Sequence, residues 1–201
     1  REQSDRKAEA AGLANIGAVY YLRGDYDQAL PFLREGIEIS RAIGALVAEA
    51  QLLNNMANIH ERRGEDQEAL ADYERGLEIY RSVGGRAGET TLLNNIGNLF
   101  SRRSDRPSPQ RALSLFRESL AIARESELVN SETRALPGIG RVMLALGSNP
   151  KEAEEHLEGA RQGAHASGSA QIEAEALGLL GELRLRGVEP IAADRLREGQ
   201  E

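Results

Sequence analysis

The nine residues LLNNMANIH at 52–60 return forty residues later as LLNNIGNLF at 92–100, and the rest of the chain keeps that period. A fixed period of this length forces a repeat architecture. Each unit is too short to bury its own apolar face and has to stack on its neighbours. Sliding the chain by forty residues lays GLANIGAVYYLRGDYDQALPFLREGIEISRAIG, from Gly12, on LLNNMANIHERRGEDQEALADYERGLEIYRSVG, from Leu52. Gly24 then falls on Gly64, Ala29 on Ala69, Gly36 on Gly76 and Gly44 on Gly84. A third copy starts at Leu92, lengthened by three residues in a turn carrying Pro107 and Pro109. A fourth runs from Ala135 through GSNPKEAEEHLEGA, and a fifth begins at Ala176 and is cut short near Glu201.

Each copy holds two helical patterns. In the first, Leu53, Met56, Ala57 and His60 fall at i, i+3, i+4 and i+7, one helical face. In the second, Ala69, Tyr73, Gly76, Leu77 and Tyr80 are similarly spaced. A short glycine-containing turn, RGD at 23–25 or RGED at 63–66, ends one helix and admits the next. Gly17, Ala57, Gly97, Gly140 and Gly181 recur where two helices approach closely. Glycine in a helix costs about 1 kcal/mol relative to alanine, so such a recurrence points to packing. The expected fold is all-α: a solenoid of about ten helices forming one array over 1–201. Its units run over about 8–46, 47–86, 87–129, 130–170 and a truncated 171–201.

Composition narrows the function classes. Net charge is −7, which argues against nucleic acid and anionic membranes as partners. No apolar run approaches the length of a membrane span. With no cysteine there is no thiolate metal site or thiol nucleophile, and the chain suits a reducing, cytoplasmic compartment. The opening REQSDRKAEA reads as part of a longer polypeptide. His60, His156 and His165 form no metal-ligand spacing, and His60 falls on the core face. GGRAGETT at 84–91 has the wrong glycine spacing, and no lysine, for a phosphate loop. No catalytic constellation, cofactor motif or metal site emerges.

The order Leu…Ile-Gly…Gly…Ala in each unit resembles the tetratricopeptide repeat in its long, forty-residue form. That form is found in the Leu-Gly-Asn spindle-orientation adaptors, in kinesin light chain and in bacterial regulators. The resemblance covers residues 8–200 and is strongest over the first three units. It implies a right-handed superhelix whose first helices line a concave groove. The proline that usually ends the second helix is missing, as YRSVGG at 80–85 shows.

On a helical wheel, Asn54, Asn58 and Gln51 fall opposite the core face, with Asn55 and Arg62 at the edge. The third unit repeats this with Asn94, Asn98, Thr91, Asn95 and Arg102, whereas the first keeps only Asn15. Asparagine in a helix costs up to about 0.7 kcal/mol relative to alanine, so six of them cost on the order of 4 kcal/mol. Against a stability of about 5–15 kcal/mol, something has to offset that. Asn54, Asn58, Asn94 and Asn98 are expected to hold the backbone of an extended peptide in the groove, as similar asparagines do in the family. An outward Asn58 also implies that Asn58→Ala leaves stability unchanged or improved. Asn15, Asn55 and Asn95 are equally able to bond the neighbouring unit.

Arg62, Arg102, Arg134 and Arg141 face the groove against Glu61, Glu175 and Glu182, so the ligand is expected to be acidic. Glu35, Glu38, Glu68, Asp72, Glu74 and Glu78 are expected on a solvated convex wall. The carboxylate clamp of chaperone-type repeats is not matched, because Asn54 and Asn94 stand where its lysine would be. ALPGIGR at 135–141 breaks the pattern: Pro137 lies inside a helix, and Gly138 replaces the repeated asparagine. The leading expectation is a non-enzymatic scaffold binding an acidic peptide segment. The alternative is a regulatory or oligomerisation domain of a bacterial signalling protein, its groove filled intramolecularly or by another copy. Ile191 and Leu196, on a last helix without a successor, point to self-association through the C-terminal unit.

Overall fold

The computed structural model describes the backbone of residues 2–102 and 108–198, and side chains within 3–102 and 108–187. Nine α-helices occupy the described residues, and no strand is among them. They are α1 (Glu2–Arg23), α2 (Tyr26–Ala42), α3 (Leu46–Arg62), α4 (Asp66–Ser82), α5 (Arg86–Arg102), α6 (Pro109–Glu125), α7 (Val129–Leu146), α8 (Pro150–Ser167) and α9 (Ala170–Glu198). Ordinary interior sequence propagates each helix, and the same device stops the second helix of each unit. A residue at or just after the C-cap turns left-handed, at Gly44 (φ 68°), Gly84 (φ 68°), Glu127 (φ 55°) and Gly168 (φ 70°). The next amide then reaches back five residues: Ala45 to Ser40, Gly85 to Tyr80, Leu128 to Ala123 and Ser169 to Ala164, each at 2.8 Å.

Consecutive helices pack as antiparallel neighbours, and first helices also touch first helices: α1 with α3, α3 with α5, α5 with α7 and α7 with α9. Among the described residues the second helices do not approach one another as closely, and long side chains bridge them instead: Arg81 on α4 pairs with Glu118 on α6 at 2.7 Å, and Arg117 on α6 with Glu152 on α8 at 2.9 Å. The first helices therefore form the inner wall of the stack and the second helices fan outward. One core runs the length of the array, from Ala29 and Leu33 through Tyr73, Leu92 and Phe116 to Ala176. Each fully buried leucine or aromatic of this kind stabilises the stack by about 1.5–3 kcal/mol.

Small residues explain the close approach of helices within units. A Cβ on Gly17 would stand 2.7 Å from Leu33, one on Gly97 2.9 Å from Phe116, and one on Gly140 2.4 Å from Leu157. Ala57 is fully buried. Gly181 does not belong to this set: nothing lies within 4 Å of its Cβ position.

Nine helices rather than about ten follow from the fifth unit. Arg186 and Gly187 stand where Arg23–Gly24 and Arg63–Gly64 end earlier first helices, yet α9 continues through them to Glu198. Gly187 is not left-handed there, so no turn forms. α7 likewise runs unbroken through Pro137, which is buried within it. Pro107 and the side chains of Ile191 and Leu196 lie outside the described residues.

Candidate functional site

The inner wall carries a row of side chains, each reaching back one unit. Asn95 on α5 donates through Nδ2 to Asn54 Oδ1 on α3 at 2.8 Å. Arg102 on α5 pairs with Glu61 on α3. Arg62 on α3 reaches Tyr21 on α1 at 3.4 Å, and that bond raises the guanidinium above its ordinary value. Arg141 on α7 donates to Asn98 Oδ1 on α5 at 2.5 Å and lies 3.8 Å from Glu175 on α9. Burial, and after it the nearby Arg141, pushes Arg102 below its ordinary value. Two cations thus share this stretch of wall, offset by the two glutamates.

Asn58 is also engaged. The Tyr73 hydroxyl, on α4, lies 2.6 Å from Asn58 Oδ1 and 2.8 Å from Glu61 Oε2. One phenolic proton cannot serve both oxygens. Turning the Asn58 carboxamide so that its NH2 donates to the phenol, whose proton then goes to Glu61, satisfies all three groups. Burial pushes the Tyr73 phenol up, so it stays protonated and a donor.

The outward-facing expectation for the asparagines therefore needs correction. Asn94 is only 2% exposed, and neither its Oδ1 nor its Nδ2 has a hydrogen-bond partner. Asn54, Asn58 and Asn98 are half-buried and bonded to other side chains. The wheel missed this because a first helix in a solenoid is flanked by two other first helices, not by solvent. Asp72 also leaves the solvated wall: its carboxylate takes His60 Nδ1 at 2.8 Å, and burial raises it against the opposing pull of His60. His60 is buried in the second hairpin, between Asp72 and Glu65.

What remains open to a ligand lies nearer the start of the array. A pocket of about 1150 Å³ sits between α1, α3 and α5. Gln51, Asn54 and Asn55 line it, with Asn15, Thr91, Leu46, Val47 and Val83, and Lys7 is its one charged lining residue among those described. The carboxamides of Gln51 and Asn55 have no hydrogen-bond partner among the described residues. Asn94, Asn95, Asn98, Arg62, Arg102, Arg134 and Arg141 do not reach it. Arg134 is exposed on α7. No group of acidic residues and histidines able to hold a metal ion occurs among the described residues, and no helix there is long and apolar enough to cross a membrane.

A second row went unnoticed in the sequence. Arg41 pairs with Glu49 at 2.9 Å, Arg81 with Glu89 at 3.0 Å, Arg124 with Glu132 at 2.8 Å, and His165 contacts Glu173 at 3.1 Å. Each pair spans eight residues and ties a second helix to the next first helix. The forty-residue shift superimposes Glu49 on Glu89 and Arg41 on Arg81, and this was the available signal.

Family models of the tetratricopeptide repeat match residues 10–43 and 48–125, more than half of the chain. The chain belongs to the tetratricopeptide repeat family. Its fold is a right-handed α-solenoid, and it is a protein-interaction or regulatory domain of that family. BtubC (BKLC) from P. vanneervenii matches with a TM-score of 0.68 and 22% identity over 81% of this chain and 65% of that one. Aspartyl phosphate phosphatase F from Bacillus subtilis matches with a TM-score of 0.81 and 17% identity over 94% of this chain and 48% of that one. A Rap protein complexed with Competence and Sporulation Factor matches with a TM-score of 0.73 and 16% identity, over 93% and 51%. The chain thus spans between about half and two thirds of the length of these structures. No curated protein matches it by sequence.

Proposed function

We propose that this chain is a non-catalytic interaction module that binds an extended segment of a partner protein along its inner wall, anchored in the pocket between α1, α3 and α5. The observation that carries this reading is the pocket's lining. Leu46 and Val47 are 42% and 47% exposed, and beside them stand the unengaged carboxamides of Gln51 and Asn55. Apolar surface takes a side chain, and carboxamides give one donor and one acceptor to the backbone that carries it. Lys7 at the pocket and the exposed Arg134 further along favour an acidic segment. Arg102 and Arg141 contribute less, since Glu61, Asn98 and Glu175 already occupy them. The similar Rap protein complexed with a factor supports this class of role.

Selecting a binder from a displayed peptide library and titrating it into variants tests the reading. Gln51→Ala with Asn55→Ala should weaken binding about tenfold, at about 0.5–1.5 kcal/mol per hydrogen bond. Val47→Glu should abolish it, and affinity for an acidic binder should fall with salt. Full affinity in these folded variants would remove the pocket from the site. A second reading, self-association through the C-terminal unit, rests on Leu177 and Leu185, 52% and 70% exposed on α9. Sedimentation showing a monomer at high concentration would sink it.

A further inference from the structure

The Arg–Glu row has a fifth glutamate with nothing attached. Glu9 on α1 falls in register with Glu49 and Glu89, and Glu132 and Glu173 continue the row. Those four each receive a basic side chain from the last turn of the preceding second helix. Glu9 is exposed and has no ion pair or hydrogen bond among the described residues.

The apolar positions of α1 behave in the same way. Ile59 on α3 and Leu99 on α5 are 0% and 2% exposed, whereas Val19, their counterpart on α1, is 54% exposed. Ile96 is 2% exposed and its counterpart Ile16 is 41%. All three helices are followed by a second helix and a further first helix. Only α3 and α5 also have a unit before them, so that unit accounts for the difference. α1 has also kept these residues apolar, although a helix that ended the stack would do better with polar ones.

We propose that α1 is an interior helix of the array, and that its outer face docks one more helix of the second type. That helix is amphipathic and carries a basic residue in its last turn to meet Glu9. Two features define it further. Arg1 stands in register with Arg41 and Arg81, the basic residues in the last turns of α2 and α4. Residues 2–5 are wound onto α1, giving it turns that α3 and α5, beginning at Leu46 and Arg86, do not have. Also, where Leu52 and Leu92 fill the space against Gly36 and Gly76 of the preceding helices, α1 has Gly12 with nothing within 4 Å. The incoming helix therefore fits best with a large side chain at the place of that second-helix glycine.

The test puts such a helix on the chain in place of residues 1–5. A copy of residues 26–45 is joined ahead of Arg6, the register in which residue 45 precedes Leu46, once unchanged and once with G36L in the copy. The extension should raise the melting midpoint by about 4 °C or more. It should also slow amide exchange in α1 about tenfold. The G36L copy should do so more strongly. Glu9→Gln should leave the unextended chain unmoved and lower the midpoint of the extended one. A shuffled copy of the same composition controls for added length and should have no effect.

An extension that stays non-helical by circular dichroism, or leaves α1 exchange as fast as before, overturns the proposal. So does a Glu9→Gln effect equal in both chains. If the unextended chain dimerises and Val19→Glu makes it monomeric, the face belongs to a second copy and the docked helix is excluded.

Discussion

Two junctions of the same array, α3 to α5 and α5 to α7, solve one packing problem differently. At the first, Asn54 receives a hydrogen bond from Asn95 one unit on, the connecting turn uses Gly84, and Tyr73 fills the hairpin with its hydroxyl engaged. At the second, Asn94 stands in the register of Asn54, but Gly138 stands where an asparagine should answer it. Asn94 is left buried with both polar atoms unpartnered. Phe116 replaces Tyr73, the turn uses Glu127 with φ 55°, and Pro137 sits inside the helix. An asparagine on this wall is thus not defined by its own helix. It stabilises the stack when a partner stands one unit on, and it costs free energy when none does.

Phe116 explains why the partner was lost. A Cβ on Gly138 would lie 2.5 Å from the Phe116 ring, which also packs against Gly97 and is 1% exposed. Restoring the asparagine with Gly138→Asn should therefore lower stability by about 1–3 kcal/mol, the usual cost of overpacking. Phe116→Leu, the residue type Leu33 supplies in the first unit, should recover much of that loss in combination. Chemical denaturation of both variants checks this, and a Gly138→Asn protein as stable as the parent would show that the ring can yield.

Swapping the two asparagines themselves should give opposite signs. Asn94→Ala removes an unsatisfied buried carboxamide and a poor helix former, so it should stabilise by about 1 kcal/mol. Asn54→Ala leaves Asn95 without its acceptor and should cost up to about 1 kcal/mol. Asn58→Ala should now destabilise as well, because it strips a partner from the buried Tyr73 hydroxyl. This reverses the expectation for an outward-facing residue. Equal signs for Asn94→Ala and Asn54→Ala in thermal unfolding would erase the contrast between the junctions.

How much of this could be read in the sequence depends on the range of the forces involved. The period, the helix pairs and the glycines at close contacts are set by local propensity and recurrence, so Gly17, Ala57 and Gly97 were legible. The inner wall was legible as a face but not as a set of bonds. Whether Asn98 meets solvent or Arg141 depends on the offset between stacked helices, which no helical wheel contains. Asp72 was misplaced for a similar reason, since His60 reaches it from the other helix of the hairpin. The Arg41–Glu49 row was in plain register, but a register alone does not say that two charges eight residues apart meet across a turn.

The smallest expected difference lies in the connecting turns. Gly44, Gly84 and Gly168 take the left-handed conformation at positions where Glu127 takes it in the α6–α7 turn. A Cβ in that region crowds the following carbonyl and costs about 1–2 kcal/mol, which glycine avoids. Part of this gain is offset because glycine is freer in the unfolded chain, so Glu127→Gly should stabilise by about 1 kcal/mol or slightly less. Gly84→Ala should lose a similar amount, although nothing lies within 4 Å of its Cβ position. Glu127 sits in a turn away from the pocket, so peptide affinity should not change with Glu127→Gly. If Glu127→Gly gains nothing while Gly84→Ala costs its full share, contacts of the Glu127 side chain hold that turn. The irregular junction would then be adapted to its residues rather than strained by them.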